Sequence, residues 1–91
     1  MADIKLIGFV ARAKRRKETL DLLSKNAQLS QPEIMRALKQ YKSHNSKTLK
    51  ELSDEGLVVC INPEDRSFKF YKITSKGKEI LKEAIKVSGK D

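Results

Sequence analysis

The chain has 91 residues, enough for one domain and too few for two. Twenty basic and twelve acidic residues give a net charge of +8, which favours an anionic partner, nucleic acid before a membrane surface. One cysteine and one histidine exclude an internal disulfide and any metal cage built from these residues. The sequence has no apolar run near membrane-spanning length and no secretory signal pattern. We therefore expect a cytoplasmic protein without a cofactor.

The first helix is predicted over residues 12–25, where Leu20 and Leu23 are three positions apart among charged side chains. The apolar residues of the preceding segment 4–10 either extend this helix or pack separately. Asn26 is suited to ending the helix in a left-handed conformation.

A second helix is predicted over residues 31–40. Ser30 is a favourable N-cap, and Glu33 three positions later completes a capping box. Pro32 falls in the first turn, where its missing N–H is tolerated. The residues expected to face the core are Ile34, Ala37 and Leu38.

A third helix is predicted over residues 44–55, with Ser43 as its N-cap and Gly56 closing its C-terminus. The link from the second helix, beginning at Tyr41, is about three residues long. Two short helices joined this closely predict a helix-turn-helix over residues 31–55.

The apolar period then changes to two, which predicts a β-hairpin. Strands over residues 57–61 and 68–73 flank a charged turn, and together they form a wing over residues 57–73. Thr74 is expected to cap a final helix over residues 74–87.

Four motifs carry a family resemblance that covers residues 12–85: Ser30-Gln31-Pro32-Glu33-Ile34, Ser46-Lys47-Thr48-Leu49-Lys50-Glu51-Leu52, Glu55-Gly56-Leu57-Val58 and Tyr71-Lys72-Ile73-Thr74-Ser75-Lys76-Gly77-Lys78. In these motifs the chain resembles winged helix-turn-helix transcriptional regulators of the MarR/ArsR-like group, and in particular its short archaeal members. The resemblance implies an α+β fold with three helices, a two-stranded β wing and a C-terminal helix. A single domain is expected over residues 1–91.

The chain departs from the family pattern in three ways. The turn carries Lys39 and Gln40 where a Gly and an apolar residue are usual, so Tyr41 is expected to supply the missing apolar contact. Asn45 replaces a Val or Ile; it either needs a buried partner or turns outward to read adenine. The metal-sensing cysteine motif is absent, which disfavours metal sensing; Cys60 is either a small hydrophobe in the strand or a redox switch.

The resemblance implies that the helix of residues 44–55 enters the DNA major groove, with the wing on the flanking backbone. Cations in the first half of this helix and acids in the second half suit insertion by its N-terminal end. The predicted DNA contacts are Gln31, Lys42, Ser43, His44, Ser46, Lys47, Thr48 and Lys50 in the helix-turn-helix, Arg66 and Lys69 in the wing, and Arg15 and Arg16 in the basic run of residues 12–17.

Apolar residues near both termini predict a homodimer, which is the common state in the resembled family. Alternatively, these residues close the core of the monomer: Ile4, Ile7, Phe9, Val10, Ile80, Leu81, Ile85 and Val87. No catalytic constellation or nucleotide-binding motif is present, so we do not expect an enzyme. The alternatives to a regulator are a nonspecific chromatin-type DNA binder and a winged-helix module that binds protein or RNA. The sequence identifies no small-molecule effector.

Overall fold

The computed structural model describes residues 3–87; residues 1–2 and 88–91 of the predicted domain lie outside this range. Within it the elements are α1 Ile4–Ala11, α2 Lys14–Ser24, β1 Leu29–Ser30, α3 Gln31–Leu38, α4 Lys42–Asp54, β2 Val58–Cys60, β3 Phe70–Ile73 and α5 Ser75–Val87. The predicted α+β winged helix-turn-helix architecture is confirmed. No helix among these elements is both long enough and apolar enough to cross a membrane.

The predicted helix over residues 12–25 begins too early, because the N-terminal part of the chain folds as two helices. The apolar segment forms α1 on its own, and Asp3 caps it by accepting hydrogen bonds from the backbone N–H groups of Lys5 and Leu6 at 2.9 and 3.3 Å. Ala13 then has extended backbone (φ −120°, ψ 109°), which separates α1 from α2. Of the two alternatives left open by the sequence, separate packing is the one observed.

Helix α3 begins with the predicted capping box. The Oγ of Ser30 accepts a hydrogen bond from the N–H of Glu33 at 3.3 Å, and the Glu33 carboxylate accepts one from the Ser30 N–H at 2.8 Å. Ile34 is fully buried and Leu38 is half-buried, but the prediction for Ala37 is wrong, since this residue is exposed. The helix packs on the core through Ile34 and Leu38, which are four positions apart, so its buried face is narrower than the predicted face that also included Ala37.

The turn between α3 and α4 lies earlier in the chain than predicted. Lys39 adopts the left-handed conformation with φ 54°, and the N–H of Gln40 donates to the carbonyl of Met35 at 3.0 Å. This closes α3 two residues before the predicted end, so α4 begins at Lys42. Ser43 consequently lies in the first turn of α4, and the prediction that it is the N-cap is wrong.

The sheet has three antiparallel strands in the order β1-β3-β2, one strand more than the predicted wing. Val58 pairs with Ile73 in the hairpin, and Ser30 pairs with Phe70 on the other side of β3. The strands are shorter than predicted because the side chain of Asn62 replaces a strand partner. Its Nδ2 donates to the Phe68 carbonyl and its Oδ1 accepts from the Phe70 N–H, both at 2.8 Å. The additional strand, β1, is only two residues long and leaves no alternating pattern in the sequence.

A single core of aliphatic residues joins the helices to the sheet. Its fully buried members in the central helices and at the corner after α4 are Leu20, Leu23, Ile34, Leu49, Leu52 and Leu57. Helix α1 packs against α5, and their buried residues are Leu6, Val10, Ile80, Leu81 and Ala84. Of the apolar residues near the termini, Val10, Ile80 and Leu81 therefore help to close the core of the monomer, whereas Ile4, Ile85 and Val87 are exposed.

Candidate nucleic-acid interface

The inner face of α4 is buried and anchors the helix to the core. Leu49, Leu52 and Asn45 are at most 1% exposed, and Thr48 is 5% exposed. Thr48 lies one turn from both Asn45 and Leu52, which places it on this inner face. Of the predicted contacts in α4, Thr48 is thus the least exposed, and the surface that it keeps lies in a cleft beside α2.

The outer face of α4 is exposed and is basic in its N-terminal half. Six of the predicted contact residues lie there: Lys42, Ser43, His44, Ser46, Lys47 and Lys50. Among the described residues, the N-cap Tyr41 makes no side-chain capping hydrogen bond to the first N–H groups of α4. Tyr41 is 79% exposed, and its ring packs edge-on against the His44 ring with 6.3 Å between the two ring centroids. The prediction that Tyr41 supplies the missing apolar contact in the turn is therefore wrong.

An amide network connects the inner face of α4 to α3 and to the turn. The Asn45 side chain is fully buried; its Nδ2 donates to the Gln40 Oε1 at 2.9 Å, and its Oδ1 accepts from the Gln31 Nε2 at 3.2 Å. The same Gln31 nitrogen donates to the Ser46 Oγ at 3.0 Å. Asn45 therefore has the hydrogen-bond partners that its buried position requires, both of them half-buried, and Gln31 is bound to α4.

A groove of about 950 Å³ separates α3 and α4 from the wing. Among residues 3–87, those that line it include no carboxylate and five cations: Arg36, Lys42, Lys50, Arg66 and Lys69. Arg36 was not predicted as a contact, although its position two residues from the buried Ile34 places it on the opposite side of α3. Lys50 also forms an ion pair with Asp54 at 3.1 Å, but both side chains are more than 60% exposed, so the pair is weak.

The wing loop, residues 61–69, contains two residues predicted to contact DNA. One of them is exposed, and the other is hydrogen-bonded within the loop. Arg66 is exposed near the tip of the loop. The Nζ of Lys69 instead donates to the carbonyl oxygens of Pro63 and Asp65 at 2.7 and 3.3 Å, so this lysine stabilises the loop. The Asp65 carboxylate accepts hydrogen bonds from the backbone N–H and hydroxyl of Ser67, which lower the pKa of Asp65.

The two predicted contacts in α2 also differ from each other. Arg15 is exposed beside α4. The Arg16 side chain is only 22% exposed, because its Nε pairs with the Glu51 Oε1 at 3.2 Å and its Nη1 donates to the Phe9 carbonyl at 2.7 Å. Arg16 therefore holds α1, α2 and α4 together through these contacts.

No protein-family model matches the sequence, and no curated protein matches it. Solved structures match the fold. Wild-type MarR from E. coli in its apo form gives a TM-score of 0.78 at 20% identity, with 96% of this chain and 68% of that chain covered. A mutant MarR from E. coli complexed with operator DNA gives 0.74 at 19% identity, with 93% and 64% covered.

A MarR family transcriptional regulator from Streptomyces coelicolor gives a TM-score of 0.74 at 23% identity, with 88% of this chain and 59% of that chain covered. This chain has the winged-helix fold of the MarR regulators. It spans between 59% and 68% of the length of these three structures. In the MarR-like fold, α3 and α4 form the helix-turn-helix, and β2, β3 and the loop between them form the wing.

Two features of the MarR-like domain bear on other chemistry. Cys60 is half-buried in β2, and its Sγ lies 3.9 Å from the Asn62 Oδ1. Between residues 3 and 87, no three His, Cys, Asp or Glu side chains are grouped so that they could hold a metal ion.

Proposed function

We propose that this chain is a DNA-binding transcriptional regulator that places α4 in the major groove and the wing against the flanking backbone. The observation that carries the proposal is the exposed basic face of α4, bordered by a groove whose described lining has cations and no carboxylate. The same fold occurs in a MarR protein complexed with operator DNA. A major groove about 12 Å wide admits an α-helix such as α4.

The proposal assigns different roles to the residues of the interface. Lys42, Lys47 and Lys50 neutralise phosphates or donate to guanine, while the short side chains of the first turns reach base edges or phosphates: Ser43, His44 and Ser46. Arg66 contacts the backbone or the minor groove from the wing. Gln31 acts by orienting Ser46, since its amide nitrogen is bound to that hydroxyl.

We also propose that the regulator acts as a homodimer. Although much of the α1 and α5 surface is buried within the monomer, Ile4 is 83% exposed and Val87 is 65% exposed. A two-fold dimer would present two copies of α4 to half-sites about 34 Å apart, one turn of DNA. Sedimentation equilibrium of the protein, alone and with a duplex carrying two half-sites, tests this. A monomer under both conditions contradicts it.

Binding to duplex DNA over a series of salt concentrations tests the main proposal. Fragments from the neighbourhood of the protein's own gene are compared with a random competitor. If about six phosphates are neutralised per monomer, the logarithm of the binding constant falls with the logarithm of salt concentration at a slope of about −5. The variant Lys47→Ala/Lys50→Ala is expected to lose selective binding. The charge-matched control Lys25→Ala/Lys78→Ala, changed at exposed positions near the end of α2 and the start of α5, is expected to retain it.

The alternatives correspond to different results. Binding that is equal for every fragment indicates a nonspecific chromatin-type protein. Absence of duplex binding by the wild-type chain contradicts the proposal and leaves a module for protein or RNA.

A further inference from the structure

Helix α4 has a second basic border, on the flank turned away from the wing. A cleft of about 580 Å³ lies there between α4 and the N-terminal turn of α2. The basic side chains that line it, apart from Arg16, are Lys14, Arg15, His44 and Lys47, and we call this the α2 cleft. The chain thus brings together cations that are about 30 residues apart in sequence.

The residues that line the α2 cleft carry an excess of positive charge. Glu51 is the only acid among the described residues that line it, and this carboxylate is already paired with Arg16 at 3.2 Å. Across residues 3–87, the side chains of Lys14, Arg15 and Lys47 form no ion pair. The first turn of α2 contains no acidic residue.

This arrangement is unfavourable in the free protein. Like charges on neighbouring turns repel one another, and cations at a helix N-terminus oppose the helix dipole. An anion seated between α2 and α4 would relieve both effects. The positive charge of the α2 cleft therefore favours the binding of a negatively charged group.

The two flanks of α4 match the two walls of a major groove. On one flank of α4, Lys42, Ser46 and Lys50 are spaced four positions apart and border the protein groove next to the wing. On the other flank, His44 and Lys47 line the α2 cleft. A helix lying in the major groove has a phosphate backbone on each side. We infer that the α2 cleft binds a backbone phosphate on the wall of the major groove opposite the wing. This inference rests on the proposed function, because it requires α4 to enter the groove.

The test compares wild-type protein with the variant Lys14→Ala/Arg15→Ala and with the control Lys25→Ala/Lys78→Ala, which removes equal charge away from the cleft. Both altered positions of α2 are exposed, and Ala favours a helix, so the fold is expected to persist. Affinity for a selected duplex and for a random duplex is measured by fluorescence anisotropy between about 50 and 200 mM salt.

Loss of one phosphate contact is expected to reduce the magnitude of the salt slope by about 0.9 and the affinity by about five- to tenfold. The loss should be the same for both duplexes, since phosphates carry no sequence information. The control should keep the wild-type slope.

Ethylation interference then locates the contact, because an ethylated phosphate loses its charge. Wild-type protein should show interference on both walls of the groove. Lys14→Ala/Arg15→Ala should lose it on one wall only, and Arg66→Ala on the other. A wild-type slope and interference pattern for the α2 variant, together with reduced binding by Lys47→Ala/Lys50→Ala, overturns this inference and leaves the proposed function intact. Failure of the wild-type chain to bind any duplex overturns both.

Discussion

The guanidinium of Arg16 lies 3.2 Å from the Glu51 carboxylate and so joins α2 to the helix proposed to read DNA. The same guanidinium lies 3.8 Å from the centroid of the Phe9 ring and donates to the Phe9 carbonyl. Helices α1, α2 and α4 therefore meet at one side chain. Because α1 packs on α5, this contact also connects the helix pair at the termini to the candidate interface.

Replacing Arg16 should destabilise the fold. Arg16→Ala removes a partly buried ion pair, a carbonyl hydrogen bond and a cation–π contact, so we expect a loss of about 1–3 kcal/mol of unfolding free energy. Arg16→Lys should recover little of it, since an ammonium group lacks the planar fork that reaches both partners. Urea unfolding measures this, and a double-mutant cycle with Glu51→Gln isolates the ion pair. A change of less than about 0.5 kcal/mol for Arg16→Ala would contradict this role.

Asn45 should contribute to stability through its buried amide. Asn45→Ala leaves the side chains of Gln31 and Gln40 without their buried partner, and we expect a loss of about 1–3 kcal/mol. Ser43→Ala, on the exposed side of the same helix, is the control and should change the unfolding free energy by less than about 0.5 kcal/mol. Equal effects of the two substitutions would show that the network does not stabilise the domain.

Lys39 is expected to be replaceable by glycine with a gain in stability. Its φ of 54° lies in the left-handed region, where a side chain costs about 1 kcal/mol and glycine has no such penalty. We therefore expect Lys39→Gly to raise the unfolding free energy by about 0.5–1 kcal/mol. Lys42→Gly, at the helical first position of α4, should lower it. Thermal unfolding of the two variants gives opposite shifts if the turn has the conformation described.

Gly77 and Gly8 provide a matched pair, because both lie in helices but only one is closely packed. A Cβ at position 77 would overlap the carbonyl oxygen of Leu57 and approach the Ile73 Cγ1 to 2.7 Å, while nothing lies within 4 Å of one at position 8. Gly77→Ala should cost about 1–3 kcal/mol or more. Gly8→Ala should stabilise the fold by about 0.5–1 kcal/mol. Unfolding free energies of similar sign for both variants would contradict the packing of α5 against Leu57.

The capping box should make stability depend on acid pH. The hydrogen bond from the Ser30 N–H, followed by that from its hydroxyl, lowers the pKa of Glu33 from its usual 4.5. A carboxyl whose pKa is lower in the folded state stabilises the fold above its unfolded pKa, and this contribution is lost as pH falls through the folded pKa. Relative to wild type, Glu33→Gln should be less stable at neutral pH, and the difference should shrink below pH 4.5. A difference between the two proteins that does not shrink below pH 4.5 would contradict this role of Glu33.

Local signals in the sequence were sufficient to predict much of the architecture. The capping box of α3, Gly56 after α4 and Thr74 before α5 each act through backbone groups within a few residues, and the structure confirms all three. Apolar spacing identified most of the core residues of the central helices and the wing for the same reason: the period of a helix or strand is a local property.

Only the tertiary structure decided which polar residues remain available. Net charge and the basic run can be read from the sequence, but Arg16 and Lys69 are occupied by partners that folding brings close, and Thr48 is buried. The left-handed turn at Lys39 likewise depends on how α3 and α4 pack, since its sequence carries no glycine to mark it. The sequence by itself determined the fold class, the charge and the order of the helix-turn-helix, the wing and the C-terminal helix, but not the separate helix α1 or the strand β1. The tertiary structure determined that Arg16 is held by Glu51 and by the Phe9 carbonyl, because the ion pair joins residues far apart in the chain.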